Sequence, residues 1–137
     1  MRVAFSKSKC YPHRNAYVVP LVLINMITGA RAEVEGTIDT GFDGSVMVES
    51  ETYSKLAFQL SEKPESQFPA YRTLSGTTLF RSSPAGALVA GKEVAVDVIT
   101  PVHGGGKNLI GRRVLREFTT LLHAAETYCV GEAHLES

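Results

Sequence analysis

Short apolar runs that alternate with turn residues are the feature of this sequence that most constrains its fold. The runs are rich in Val, Ile, Thr and Tyr, and turn-forming residues lie between them. That pattern is typical of β-strands joined by tight turns. It predicts strands within residues 17–27, 32–38, 45–48, 71–74, 77–80, 86–89, 93–100, 108–110 and 119–130, the last as a closing strand or a hairpin. Only segments 50–57 and 112–118 are predicted to form short helices, so the predicted fold class is mostly β.

Two of the predicted strands carry a more detailed pattern. In the strand 32–38, Glu33 and Glu35 fall on one face and Val34 and Ile38 on the other, as expected when one face is buried. Pro20 has no amide proton, so it predicts an edge position or a bulge near the start of the first strand.

Turn and capping signals mark the ends of other elements. Hairpin turns are predicted at Ser75-Gly76 and around residues 90–92. Ser50 is predicted to cap the first helix, because its hydroxyl can accept a hydrogen bond from an unpaired amide of the first turn.

Length and composition limit the size and the partners of the protein. The 137 residues, 44% of them apolar, suffice for a single domain over 1–137, with residues 1–15 as a candidate terminal arm. The 14 basic residues balance the 14 acidic ones, which argues against nucleic acid and against a membrane surface as partners. The longest apolar run, residues 16–27, is too short for a membrane span, and residues 1–15 contain no apolar stretch of the length that a secretory signal requires. Cys10 and Cys129 are too few for a disulfide scaffold and are predicted to be reduced thiols in a cytoplasmic protein.

Asp39 is the residue best placed to carry chemistry. It follows the strand 32–38 and enters the turn Thr40-Gly41, where backbone amides and a hydroxyl can tune its acidity. A carboxylate held in this way suits an acid or a base. The same residues also fit a structural interpretation, in which Asp39 caps a turn and Gly41 allows an unusual backbone angle. The segment by itself leaves both interpretations open.

A second segment, Leu109-Ile110-Gly111, favours the chemical interpretation when it is taken together with the first. The order of Ile38-Asp39-Thr40-Gly41, a hairpin at Ser75-Gly76, and Leu109-Ile110-Gly111 before a short helix resembles the retropepsin-like aspartic proteases. The resemblance covers roughly residues 18–130, and Asp-Thr-Gly-Phe-Asp-Gly is more similar to the prokaryotic single-domain members. It implies a small closed, β-barrel-like fold with one or two short helices.

The resemblance implies an aspartic endopeptidase that works as a homodimer on a peptide or protein substrate. In this chemistry two carboxylates share a proton, and one activates a water while the other donates to the scissile carbonyl. The chain contains one Asp-Thr-Gly. A second copy would therefore have to supply the other catalytic Asp39.

The resemblance also implies roles for the residues around Asp39. Thr40 would hydrogen-bond across the dimer axis, and Gly41 would allow close approach of the substrate. Asp43 would contact the substrate backbone and form a structural pair with Arg112. Gly76 would lie at the tip of a flap and bind substrate. Two plainer interpretations stay open: solvated surface charges for the Asp43–Arg112 pair, and an ordinary hairpin glycine for Gly76.

Two departures from the family pattern leave a second function open. Phe42 stands where retroviral members usually carry a small residue, and the connection 49–70 is longer than theirs. Either could reshape the cleft. The alternative is a non-catalytic peptide-binding or dimerisation module with the same fold.

Other chemistries find less support, and no cofactor or metal is predicted. The four histidines are scattered without metal-ligand spacing. The loop 103–107 lacks the full pattern of a phosphate-binding loop. Asp39 and Asp43 are four residues apart, whereas phosphoryl transfer by a strand-borne aspartate uses acids two apart.

The two ends of the chain carry opposite charges. Residues 1–15 have four basic and no acidic side chains, whereas Glu126, Glu132 and Glu136 lie near the other end. We expect these charges to help set the register of terminal strands at a dimer interface, weakly and in a salt-dependent way.

Overall fold

The structure is a computed structural model that describes residues 2–12, 17–73, 76–122 and 127–136. Its elements are β1 (Arg2–Pro12), β2 (Val18–Ile24), β3 (Arg31–Ile38), β4 (Val46–Met47), α1 (Ser50–Lys55), β5 (Ala70–Thr73), β6 (Gly76–Val89), β7 (Lys92–Pro101), β8 (Leu109–Ile110), α2 (Arg112–Leu115), β9 (Thr119–Leu122) and β10 (Thr127–Glu136). The predicted fold class, mostly β with one or two short helices, is confirmed. Within the described ranges, neither helix is long and apolar enough to cross a membrane.

Six of the strands form a closed ring. The sheet order is β2-β3-β8-β4-β7-β6-β5, and a further pairing of β2 with β6 joins the ends of the first six. β5 pairs with β6 outside this ring. The ladder from β2 to β3 starts at Val18, whereas the ladder from β2 to β6 starts only at Leu21. Pro20 thus lies where β2 is paired on one side only, as its missing amide proton predicts.

The core lies inside the ring and is built from alternate residues of its strands. In β3, Val34 and Ile38 are buried while Glu33 and Glu35 are exposed, which confirms the predicted alternation. Larger side chains come from the connection between β4 and β5, where Tyr53 of α1 and Phe58 of a following 3-10 helix join the same core. Their ring centroids are 5.6 Å apart.

The structure differs from the sequence-based elements in several places. β1 is a strand over Arg2–Pro12, whereas residues 1–15 were predicted only as a terminal arm. β6 runs without a break from Gly76 to Val89, through the stretch 81–85 for which no strand was predicted. Ser50 does not cap α1. The N-cap residue is Glu49, and the Ser50 hydroxyl instead accepts a hydrogen bond at 3.1 Å from the amide of Gly105. That bond spans 55 residues of sequence, so no local pattern could predict it.

The terminal strands pair within one chain. They form a second sheet with the order β1-β10-β9, in which β1 and β10 are antiparallel and Arg2 lies opposite Glu136 in register. The closing segment is a hairpin of β9 and β10, one of the two forms predicted. Its connection, residues 123–126, lies outside the described residues.

Candidate active site

Asp39 is held where β8 lies between β3 and β4. β8 is parallel to β3, with Ile38 opposite Ile110, and antiparallel to β4, with Val46 opposite Ile110. The amide of Asp39 continues the first ladder by donating to the carbonyl of Ile110 at 3.0 Å. A two-residue strand from late in the chain therefore fixes the end of β3 and the residue that follows it.

The turn after Asp39 holds its carboxylate by short backbone contacts. Asp39 Oδ1 accepts a hydrogen bond from the amide of Gly41 at 2.9 Å, and the Asp39 carbonyl accepts one from the amide of Phe42 at 3.2 Å. Thr40 and Gly41 are exposed and Asp39 is half-buried. The carboxylate is thus oriented by the turn and still accessible at the surface.

The segment after β8 binds the segment after Asp39 through backbone groups. The amides of Gly111, Arg112 and Arg113 donate to the carbonyls of Ser45, Phe42 and Gly44 at 2.8, 2.9 and 3.1 Å respectively. The contact requires a glycine at 111, because a Cβ there would collide with the backbone of Gly44 and lie 2.7 Å from the Phe42 ring. The two motifs read from the sequence therefore form one structural unit.

The predicted ion pair between Asp43 and Arg112 is not formed in this structure. Among the described residues no nitrogen–oxygen distance within 4.0 Å joins the two side chains, and both are exposed. Their segments are joined instead by the amide of Arg112, which donates to the carbonyl of Phe42. Exposed pairs of this kind stabilise a fold by little, so the absence of this pair costs the fold little.

Phe42 connects the turn after Asp39 to the hairpin of β5 and β6. Its buried ring meets Tyr71 edge-on, with centroids 5.6 Å apart, and Tyr71 meets Phe80 in the same way at 5.5 Å. These three side chains pack with Ile99, Met47 and Leu109 in a cluster separate from the main core. Phe42 stands out in the sequence, whereas Tyr71, its partner in β5, carries no local signal of this contact.

Two cavities flank this unit. An apolar one of about 460 Å³ lies beside Thr40, and its lining includes Ile38, Leu115 and Phe118 together with Arg112 and Arg116. A polar one of about 130 Å³ is lined by residues that include Tyr71, Asp97 and Arg113. Burial, and then the nearby carboxylate of Asp43, raise the pKa of Tyr71 above its usual value.

The hairpin of β5 and β6 has the position in the chain predicted for a flap. Gly76 is the first residue of β6, where it faces Thr73 and has a φ of +116°, which favours glycine. Its predicted turn partner Ser75 lies outside the described residues. In the part of the chain that is described, no three His, Cys, Asp or Glu side chains group as metal ligands would.

Comparison with known proteins gives matches among solved structures. No family model matches the sequence, and no curated protein matches it. A retropepsin-like aspartic protease from Rickettsia conorii matches with a TM-score of 0.65 and 14% identity, over 98% of this chain and 95% of that chain. EIAV protease complexed with the inhibitor HBY-793 matches with a TM-score of 0.57 and 14% identity, over 78% of this chain and 91% of that chain. Both likenesses cover most of the chain, and the chain has the fold of the retropepsin-like aspartic proteases.

Proposed function

We propose that the protein is an aspartic endopeptidase that acts as a homodimer, with one Asp39 from each copy at a shared active site. The observation that carries this proposal is the position of Asp39, a half-buried carboxylate oriented by the Gly41 amide at 2.9 Å in a fold used by aspartic proteases. One such carboxylate is half of the required pair. A second copy completes it.

The chemistry needs one proton between two carboxylates. The ionised Asp39 removes a proton from a water, whose oxygen attacks the carbonyl carbon of the scissile peptide bond. The protonated Asp39 of the other copy gives its proton to the carbonyl oxygen. Collapse of this intermediate breaks the carbon–nitrogen bond, with a proton passing to the leaving amine. Two close carboxylates suit this cycle, because their mutual repulsion favours the singly protonated pair.

In the proposal, the exposed residues beside Asp39 contact an extended peptide substrate. Thr40 and Gly41 are exposed next to the carboxylate, and Asp43 is exposed one residue beyond Phe42. In the proposal, Asp43 binds the substrate backbone, and the flap hairpin with Gly76 at its end covers the peptide. In the proposed dimer, the apolar cavity beside Thr40 faces the second copy, and Leu115 and Phe118 lose water on association.

The direct test compares two isosteric substitutions in an assay of a peptide library at acid and neutral pH. The chain has three aspartates, and Asp97, which forms an ion pair with Lys63 at 3.0 Å, is the matched control. Asp39→Asn is expected to abolish cleavage while keeping the fold and the dimer, and Asp97→Asn is expected to retain cleavage. Cleavage by Asp39→Asn at the wild-type rate would refute the mechanism.

The alternative function is peptide binding without turnover. The observation that favours it is that Phe42 fills the space beside the turn. It predicts that the wild-type dimer binds library peptides and returns them intact at every pH. Recovery of cut peptides from the wild-type protein alone would dismiss it.

A further inference from the structure

The only two cysteines of the chain lie opposite each other in the terminal sheet. The antiparallel ladder of β1 and β10 pairs Cys10 with Cys129. The ladder continues on either side of them, with Lys9 opposite Val130 and Tyr11 opposite Tyr128. A register irregularity lies between Ser6 and Lys9 and ends at the residue before Cys10, and from Lys9 to Pro12 the register is regular.

Facing positions in an antiparallel ladder meet the main geometric requirement of a disulfide. Their Cα atoms are about 4.5 or 5.5 Å apart, depending on the hydrogen-bonding site. Disulfides join residues whose Cα atoms are about 4.4–6.8 Å apart. Both ladder spacings lie inside that range, so a bond between Cys10 and Cys129 needs no rearrangement of the backbone register.

The register is supported from both sides of the central strand. β10 also pairs with β9, where Cys129 lies opposite Leu121 and Val130 opposite Thr120. Val130, the neighbour of Cys129, is 1% exposed and packs in the main core. A slip of β10 by one residue would turn Val130 out of the core, which the loss of its buried area opposes.

We propose that Cys10 and Cys129 form a reversible disulfide site that ties the first strand of the chain to the last. The oxidant is a small disulfide such as oxidised glutathione. A cysteine thiolate attacks one sulfur of glutathione disulfide, forms a mixed disulfide and releases one glutathione thiolate. The second cysteine attacks the mixed disulfide, forms the intrachain bond and releases the second glutathione. The protein loses two electrons and two protons, and both glutathiones leave as thiols.

The bond would close a loop that contains almost the whole chain. Closing a loop of this length restricts the unfolded state strongly, so oxidation should stabilise the folded protein.

The test uses the purified full chain, equilibrated with reduced or with oxidised glutathione. Oxidation is expected to remove both titratable thiols and to give one linked peptide pair, residues 10 and 129, while the protein keeps single-chain mobility on a non-reducing denaturing gel. The melting temperature is expected to rise by on the order of 10 °C and to return on reduction. Cys10→Ser and Cys129→Ser are expected to carry one glutathione each and to show no such rise.

Three results would overturn the proposal. They are a cross-link between two chains, two glutathiones on one chain without a link, or two unreacted thiols in the folded protein. The proposal does not depend on the proposed peptidase activity, because every readout is covalent or thermal. An inactive protein that forms the bond would support it, and an active protein that does not form the bond would contradict it.

Discussion

At the scale of single residues, Phe42 joins the turn that carries Asp39 to the strand β5. Its ring lies against Tyr71 and over the two glycines 44 and 111, at each of which an added Cβ would come within 2.7 Å of it. The large ring at position 42 therefore fits only because residues 44 and 111 have no side chain.

Phe42→Ala is expected to lower the free energy of unfolding by about 3–5 kcal/mol, since it removes a buried ring and leaves a cavity under Tyr71. Urea denaturation measures this change. Leu79→Ala in β6 is the control, because Leu79 is 36% exposed and its truncation should cost less than about 1 kcal/mol. Equal losses in the two variants would show that Phe42 does not hold the turn to β5.

Tyr53 is expected to make the folded protein less stable at alkaline pH. Its hydroxyl donates to Glu62 at 2.9 Å, and burial, then the bond to Glu62 and the charge of Glu62, raise its pKa well above the usual value near 10. The folded state therefore binds this proton more tightly than the unfolded state does. The stabilisation is complete below pH 10 and is lost as the pH rises above it.

Unfolding measured between pH 10 and 12 is expected to show this loss. The wild-type free energy should fall with a slope that Tyr53→Phe reduces by up to about 1.4 kcal/mol per pH unit. At pH 7 the variant is expected to be less stable by about 0.5–1.5 kcal/mol, because it lacks the hydrogen bond to Glu62. Identical slopes for the two proteins would show that Tyr53 titrates alike in both states.

At the scale of elements, the two halves of β6 have different surroundings. Residues 86–89 pair with β7 on one side and with β2 on the other. Residues 76–79, at the other end of β6, pair with Ala70–Thr73 of β5, which lies outside the ring. The hairpin is thus anchored at its base in the closed ring and has a more loosely held outer end.

Amide hydrogen exchange is expected to separate these regions. Amides of 70–73 should exchange at least about tenfold faster than those of 86–89, because opening β5 breaks one ladder and opening that part of β6 breaks two. Mass spectrometry of peptides covering each region gives both rates in one sample. Equal protection would mean that β5 opens only with the whole ring.

The elements also show what a sequence pattern can and cannot predict. The alternation in β3 and the turn at Ala90-Gly91, whose φ values of 48° and 80° suit a tight hairpin, depend on neighbouring residues and were predicted. The contact of Phe42 with Tyr71, and that of Ser50 with Gly105, join residues far apart in sequence. The position of Asp39 after a strand was predictable because the motif is local. The absence of an ion pair between Asp43 and Arg112 among the described residues was not predictable, because it depends on how two loops pack.

At the scale of the whole molecule, the proposed activity requires two chains to meet. The formal net charge is zero, so no strong overall repulsion opposes their association. Exposed Thr40 and the apolar cavity beside it lie next to the carboxylate that the two copies would share. Chain concentration should therefore control activity.

Mixing experiments separate a shared site from a single-chain site. When wild type and Asp39→Asn are mixed in equal amounts and allowed to exchange, about a quarter of the dimers contain two Asp39 residues. The peptidase rate is expected to fall to that fraction of the rate given by the same total amount of wild type. A rate of one half would indicate that each chain works alone. Asp97→Asn in the same mixture is expected to leave the rate unchanged.

The insertion of β8 between β3 and β4 has a consequence for protein synthesis. Asp39 is translated early, but the carbonyl of Ile110 that receives its amide is translated only after β7 and the loop that follows it. A ribosome-bound chain that stops short of Ile110 thus has the aspartate without the strand that positions it. For the proposed peptidase, the turn that carries Asp39 would therefore lack its backbone contact with Ile110 until most of the protein has been made.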